Sequence, residues 1–275
     1  MDSFLPVELL RKVFLHSTES PGTHINILLV CRTTHAWLVP LIYHSITLTD
    51  LATIRRFVAS HDVMHHRSRN FQFIRSLWIG STPHDSCGWN VNGSSTDNPT
   101  GTISHLVWLC KNLERLTMLY HDFRPERWRA FEWTLPKSLK YLTLGPGLGP
   151  ICPAKIFVSL DCYTGIFETF DRSFLQEILS STSMKTIRYI VNSDRKTADN
   201  LKKLIVSTTK YLEGINIVIA DSERWNEDKA VQMERMEAIA RGTNVSVSRL
   251  QKGNWLEMLF AEHIGANNRF IYRYA

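Results

Sequence analysis

The sequence predicts an α/β fold in which strand–helix units stack side by side and the strands form one parallel bank. The first observation is a recurring pattern of an apolar residue, two others, Leu or Ile, one other, and a second apolar residue. It reads Ile74-x-x-Leu77-x-Ile79, Leu113-x-x-Leu116-x-Met118, Leu139-x-x-Leu142-x-Leu144, Met184-x-x-Ile187-x-Tyr189 and Leu212-x-x-Ile215-x-Ile217. An earlier copy is Tyr43-x-x-Ile46-x-Leu48, and a late one is the Val245/Val247 pair. The second observation is that segments 103–113, 125–133, 173–181, 197–210 and 224–241, between or after these copies, carry apolar residues at helical spacing. Strand alternating with helix is the arrangement that yields parallel strands.

Within that frame each element has a local cause. Residues 50–62 read as an amphipathic helix, with Asp50 as N-cap and Leu51, Ile54, Phe57 and Val58 on one face. From one central apolar residue to the next the interval is 31 (Ile46 to Leu77), then 39, 26, 45 and 28, so the period is irregular. Two long intervals have visible contents. Residues 80–101 are mostly Gly, Ser, Thr, Asn and Pro, and 81–101 is expected to be a flexible insertion. Residues 145–165 hold a Gly/Pro segment and an apolar run at 156–160 that suggests an added strand. The C-terminal stretch reads as a helix over 255–264 and an edge strand over 269–274 that caps the open end. The repeated signature resembles that of leucine-rich repeats. The resemblance implies an irregular α/β solenoid with a parallel strand bank on its concave side. An ordinary α/β domain with a mostly parallel sheet would produce the same alternation.

The N-terminal segment 4–48 stands apart. Pro6 loses no N–H in a first helical turn, Glu8 sits near the positive end of that helix, and Leu9, Leu10, Val13 and Phe14 fall on one face. After a break at Ser20-Pro21-Gly22 come Leu28-Leu29-Val30-Cys31-Arg32, Trp37-Leu38 and Pro40, where a preceding helix is expected to end or kink. About 45 residues of short helix bury too little apolar surface to stand alone, so they must lie against something.

Leu5-Pro6-x-Glu8-Leu9-Leu10-x-x-Val13-Phe14, Leu29-Val30-Cys31-Arg32 and Trp37 together resemble an F-box of the kind found in large fungal families. The resemblance covers residues 1–48 and implies a three-helix F-box followed by a recognition domain over 49–275. By the same resemblance, Leu5, Pro6, Leu9, Leu10, Val13, Phe14, Leu28, Val30 and Trp37 match the positions that build or line a face for the Skp-type adaptor of an SCF ubiquitin ligase. The repeat domain would then recruit an unknown target protein for ubiquitination, and the chain would do no chemistry itself. The other reading is a stand-alone interaction solenoid whose N-terminal helices are a cap.

Composition narrows the alternatives. The chain of 275 residues is 44% hydrophobic and 21% charged, with a formal charge of +6, and its basic residues alternate with acids, as Arg124, Arg127 and Arg129 do around Glu126. A nucleic-acid partner would call for a concentrated basic stripe, and none is expected. No apolar run approaches the ~18 residues of a membrane span, and no signal peptide is expected. Five cysteines at long spacings (Cys31, Cys87, Cys110, Cys152 and Cys162) point to free thiols in a reducing compartment, cytoplasmic or nuclear.

Candidate chemistry is sparse. The Gly145 to Pro150 loop follows a strand, but Pro146 and Pro150 remove backbone donors and no Lys-Ser/Thr follows, so it reads as a structural loop, not a phosphate cradle. His61, His65 and His66 with Cys87 form only half of a zinc pattern and read as helix-end surface residues. No nucleophile is paired with a base, and no cofactor or metal is expected. What remains is the strand surface on the concave side, which includes Ser76, Thr117, Thr143, Ile190 and Asn216. There Trp78 and Tyr141 are candidate anchors for a target, and Arg115 and Arg188 could pair an acidic or phosphorylated one.

Overall fold

The computed structural model describes residues 9, 12–13, 31–61, 69–83, 99–119, 131–145, 159–166, 183–191, 213–220, 227–250 and 255–273. Among them are eight strands and five α-helices. Helix α1 (Arg32–Ile42) leads into β1 (Ser45–Leu48) and α2 (Leu51–His61). A 3-10 helix (Arg69–Phe73), β2 (Ser76–Ile79), α3 (Pro99–Leu109), β3 (Arg115–Leu119) and β4 (Tyr141–Gly145) follow. Then come β5 (Cys162–Ile166), β6 (Thr186–Val191), β7 (Gly214–Ile219), α4 (Glu227–Ala240), β8 (Val245–Arg249) and α5 (Trp255–Arg273).

All eight strands form one parallel sheet whose spatial order is the chain order, β1 to β8. A doubly wound sheet reverses its strand order at a switch point. This one never does. The central residues of the repeated pattern lie in a single register row: Ile46, Leu77, Leu116, Leu142, Tyr163, Ile187, Ile215 and Val245. Except for half-buried Ile46 they are buried, and with Ile54 of α2, Phe71 of the 3-10 helix, Ile103 and Leu106 of α3 and Met236 of α4 they form the main core. Each such side chain contributes roughly 1.5–3 kcal/mol by leaving water.

The backbone repeats even where the sequence does not. The carbonyl of the residue just before each of the first six strands accepts two N–H groups from the next unit: His44 from Arg75 and Ser76, Arg75 from Glu114 and Arg115, Glu114 from Lys140 and Tyr141. The same fork continues from Lys140 to Asp161 and Cys162, from Asp161 to Lys185 and Thr186, and from Lys185 to Glu213 and Gly214. Six consecutive junctions thus share one geometry, although the intervals between units vary.

Four local expectations need correction. Of the 156–160 run expected to form an added strand, 156–158 lie outside the described residues and 159–160 are not strand; the interval does hold an added strand, β5 at Cys162–Ile166. Its core residue Tyr163 sits between Leu142 and Ile187 and divides the 45-residue interval into 21 and 24. Leu160-x-x-Tyr163-x-Gly165 keeps the spacing, but a tyrosine and a glycine disguise it. Second, α3 begins at Pro99, so the last three residues of the expected flexible insertion are helical, because proline is pre-organised for a first helical turn. Third, α1 runs past Pro40 to Ile42, where Tyr43 N–H donates to the Val39 carbonyl. So close to the C-terminal end, the missing Pro40 N–H costs one bond without ending the helix.

The fourth correction concerns the C-terminus. Residues 269–273 continue α5 and do not form an edge strand. Nor does α5 cover only the open end at β8, since His263 bonds Ser45 and Thr47 of β1 and Ser76 of β2. The sheet is therefore covered on both faces, by α2, α3 and α4 on one side and α5 on the other.

Helix α2 follows expectation. Asp50 caps α2, its Oδ1 accepting the Thr53 N–H at 2.7 Å, and Ile54 is buried while Phe57 and Val58 pack half-buried against the core. Of the expected helices, 224–241 corresponds to α4, only 131–132 of 125–133 is described as helical, and 173–181 and 197–210 lie outside the described residues.

Candidate interaction surface

Strand alternation puts the residues between the core positions on the α5 face. One register row there runs Thr47, Trp78, Thr117, Thr143, Thr164, Arg188, Asn216 and Ser246, and a parallel row runs Ser45, Ser76, Arg115, Tyr141, Cys162 and Thr186. A third row, at the C-terminal ends of the strands, includes Ile166, Ile190 and Val218. The face is polar over most of its width, in contrast to the apolar ladder behind it. All four residues expected to bind a target, Trp78, Arg115, Tyr141 and Arg188, lie on this one face.

Their surroundings differ. Trp78 is fully buried; its indole N–H donates to the Gly80 and Ser81 carbonyls, and its ring meets Phe260 edge-on at 5.1 Å. While α5 is in place, Trp78 has no surface open to a partner. The Arg115 guanidinium lies 4.2 Å from the centre of the Tyr141 ring, a cation–π contact. Arg188 donates to both carboxylate oxygens of Glu262 at 2.8 Å.

Helix α5 meets the face in two ways. Leu256 and Leu259 join Ile166, Ile190, Val218 and Trp78 in a second apolar cluster, with Phe260 and Met258 packed around it. Glu262 and His263 supply the polar contacts. His263 is 2% exposed, with Nε2 3.1 Å from Ser45 Oγ and 3.2 Å from Thr47 Oγ1, and Nδ1 3.0 Å from Ser76 Oγ. Burial holds its pKa well down, to about 4, with smaller contributions from Arg115 and His44, so at neutral pH the imidazole is uncharged. Two adjacent residues of α5 thus reach β6 and β1, strands five positions apart, or about 24 Å along the sheet. Glu262 and His263 escaped the sequence reading because 255–264 looked like an end cap. The signal was a histidine at i+7 on a face already carrying Leu256, Leu259 and Phe260.

Comparison with known proteins decides nothing further. The chain matches no family model, no curated protein and no solved structure.

At the N-terminus, Leu9 and Val13 lie in helical backbone one turn apart and are 47% and 54% exposed. Leu5, Pro6, Leu10, Phe14, Leu28 and Val30 lie outside the described residues. Trp37 is half-buried on α1, whose Leu38 and Val39 are buried and whose contacts are with the 3-10 helix and β1. The cap of α1 is Cys31, whose Sγ accepts the Thr34 N–H at 3.4 Å.

The candidate chemical groups resolve into structural ones where they are described. His61 is half-buried, not a solvated surface residue. Its ring bonds the Tyr43 hydroxyl, lies 2.8 Å from the Phe57 carbonyl and packs tilted against the Phe57 ring, with centres 4.5 Å apart. His65, His66 and Cys87 lie outside the described residues. Among the described residues, no three His, Cys, Asp or Glu side chains are placed to hold a metal ion, and no helix is long and apolar enough to cross a membrane. Gly145 ends β4 with φ +125°, and a Cβ there would lie 2.6 Å from the Ile166 carbonyl, so close approach of β5 requires glycine. Residues 146–150 lie outside the described residues.

Proposed function

We propose that this chain is the target-recruiting subunit of an SCF-type ubiquitin ligase. Its F-box-like segment would dock a Skp-type adaptor, and its leucine-rich-repeat-like sheet would hold the protein to be ubiquitinated. The chain works by proximity, raising the local concentration of a target beside the ligase, and catalyses nothing itself. The observation that carries the reading is the exposure of Leu9 and Val13, two apolar side chains one helical turn apart, within the motif that resembles an F-box. Each forfeits up to roughly 1.5–3 kcal/mol by remaining in water, which a partner face would recover. The sequential parallel sheet, with its six identical backbone junctions, supports the repeat half of the reading.

Co-expression with a Skp-type adaptor tests it. A stoichiometric complex on size exclusion is expected, lost when Leu9 and Leu10 are both changed to Asp while the circular dichroism of the chain is unchanged. Retained binding in that variant sinks the site; no complex with the natural chain sinks the function.

The packing of α1 against the 3-10 helix and β1 favours a second reading, a stand-alone interaction protein whose N-terminal helices only cap the sheet. Removing residues 1–30 separates the two. A docking module leaves the rest cooperatively folded at an unchanged melting temperature, whereas a cap takes several degrees of stability with it.

A further inference from the structure

The α5 face is an unusual place to bury a helix. The opposite face of the same sheet is a continuous apolar ladder, the composition of a permanent core. Beneath α5, by contrast, two of the three register rows are mostly hydroxyls, with Arg115, Tyr141, Arg188 and Asn216 among them. Such a surface is at home in water, and only Trp78 and the row near Ile166, Ile190 and Val218 gain by being covered. The ion pair that helps hold α5 down is itself partly open to solvent, Arg188 at 26% and Glu262 at 41%. Partly exposed pairs of this kind add little to stability. The face is nevertheless shaped and charged for a helix. It receives two leucines three residues apart, an aromatic residue beside the second, and a carboxylate three positions later that meets Arg188.

We propose that the α5 face is a receptor for one amphipathic helix of a partner protein, and that α5 is a resident mimic which this helix must displace. The partner helix carries Leu-x-x-Leu-aromatic followed, two residues after the aromatic, by Asp or Glu. Trp78, buried while α5 is seated, becomes the floor of the site, and Arg188 selects the acid. The inference deepens the recruiting role proposed above by naming the kind of segment recruited. In its resting state the chain shields its own recognition face.

The test uses the full chain and a fluorescein-labelled synthetic peptide spanning residues 254–273. Fluorescence anisotropy should show weak binding to the natural chain, because the tethered helix competes. Binding should tighten at least tenfold to the full chain carrying Leu256→Asp and Leu259→Asp, which unseat its own helix. A peptide with Glu262→Arg should lose that gain and recover it on a chain that also carries Arg188→Glu. Failure of the peptide to bind the unseated chain, when circular dichroism finds that chain folded, overturns the proposal. Should that variant not fold, hydrogen exchange on the natural chain decides. Amides of α5 that exchange at least 100-fold faster than those of β4 and β5 support a detachable helix, and equal protection overturns it. A natural chain that is dimeric, and takes up peptide only on dilution to monomer, makes the occupant a second copy and overturns the partner assignment. No adaptor enters these measurements, so a chain that binds peptide but no Skp-type adaptor would lose the ligase reading and keep this one.

Discussion

Arg75 Nη1 lies 3.2 Å from Glu114 Oε1, and the two residues occupy equivalent places just before successive strands. The equivalent places in the next units hold Lys140, Asp161, Lys185 and Glu213, so the sign of charge alternates along this edge from Arg75 to Glu213. Lys185 and Asp161 form a second close pair at 3.4 Å. Alternation favours each unit beside its proper neighbours and disfavours a skipped unit, which would bring like charges together. Changing Glu114→Lys sets a third cation between Arg75 and Lys140. These side chains are well exposed, so the expected loss is only about 1 kcal/mol in low salt. It should shrink as salt is raised from 0.01 M towards 1 M, because added ions screen the repulsion. Urea unfolding at several salt concentrations measures this, and a salt-independent loss would refute the electrostatic account.

Two glycines with positive φ should respond very differently to alanine. At Gly145 the backbone penalty of roughly 1–2 kcal/mol is joined by the clash of a Cβ with the Ile166 carbonyl and Cβ, at 2.6 and 2.8 Å. At Gly242, φ is +80° and nothing lies within 4 Å of the added atom, so only the backbone penalty applies. Gly145→Ala is therefore expected to cost more than about 3 kcal/mol, and Gly242→Ala about 1–2 kcal/mol. Equal losses in urea unfolding would mean that the approach of β5 to Gly145 does not constrain the sheet.

The strands were legible because their core positions repeat at fixed spacing; six of the eight carry the full pattern and β8 carries its last two positions. The eighth, β5, hides behind Tyr163 and Gly165, since the bank face accepts any large buried side chain and the small Gly165 still fits the row. Residues on the α5 face could be placed there by alternation alone. What covers them could not. Period-2 patterning assigns a side chain to a face but says nothing of a helix that returns from the far end of the chain to bond Ser45 and Thr47 across more than 200 residues. The polar character of the face made it look solvated, and in the structure α5 covers it.

Cysteine reactivity should divide by environment. The Cys31 thiol, exposed at the cap of α1, is held below its ordinary pKa by the Thr34 hydroxyl and then by the Thr34 N–H. Burial pushes Cys110 up to about 12 and also raises Cys162, against the opposing pull of Arg188. The thiolate is the attacking form, so limiting iodoacetamide at pH 8 should alkylate Cys31 well before Cys110 or Cys162. Peptide mass spectrometry reads the order. Alkylation of Cys110 at the rate of Cys31 in the folded chain would contradict its burial in the main core at the end of α3.

His263 should make stability depend on pH between about 4 and 6.5. Its folded pKa of about 4 lies below the unfolded value of 6.5 because burial disfavours the cation, and Arg115 and His44 add to that. Above pH 6.5 both states are neutral and the contact is fully stable. As pH falls below 6.5 the unfolded chain binds the proton first, and stability drops until about pH 4, where the folded imidazole also protonates. The two values differ by an amount worth roughly 3 kcal/mol. Asp50, held below 3.8 by Thr53, begins to lose its own contribution only near the foot of this window. The groups acting on the ring are the hydroxyls of Ser45, Thr47 and Ser76, the cation of Arg115 and His44, and among the described residues no carboxylate is bonded to it; Glu262 is bonded to Arg188. None of the groups acting on the ring carries the negative charge that would favour the imidazolium. His263→Gln keeps hydrogen-bonding capacity without the titration, so its urea-unfolding free energy should change far less between pH 7 and 4.5 than that of the natural chain. The fluorescence of Trp78 and Trp255, which pack in the cluster around α5, reports whether the helix leaves first. A natural chain and a Gln variant with the same pH slope would show that His263 does not hold α5 to the sheet.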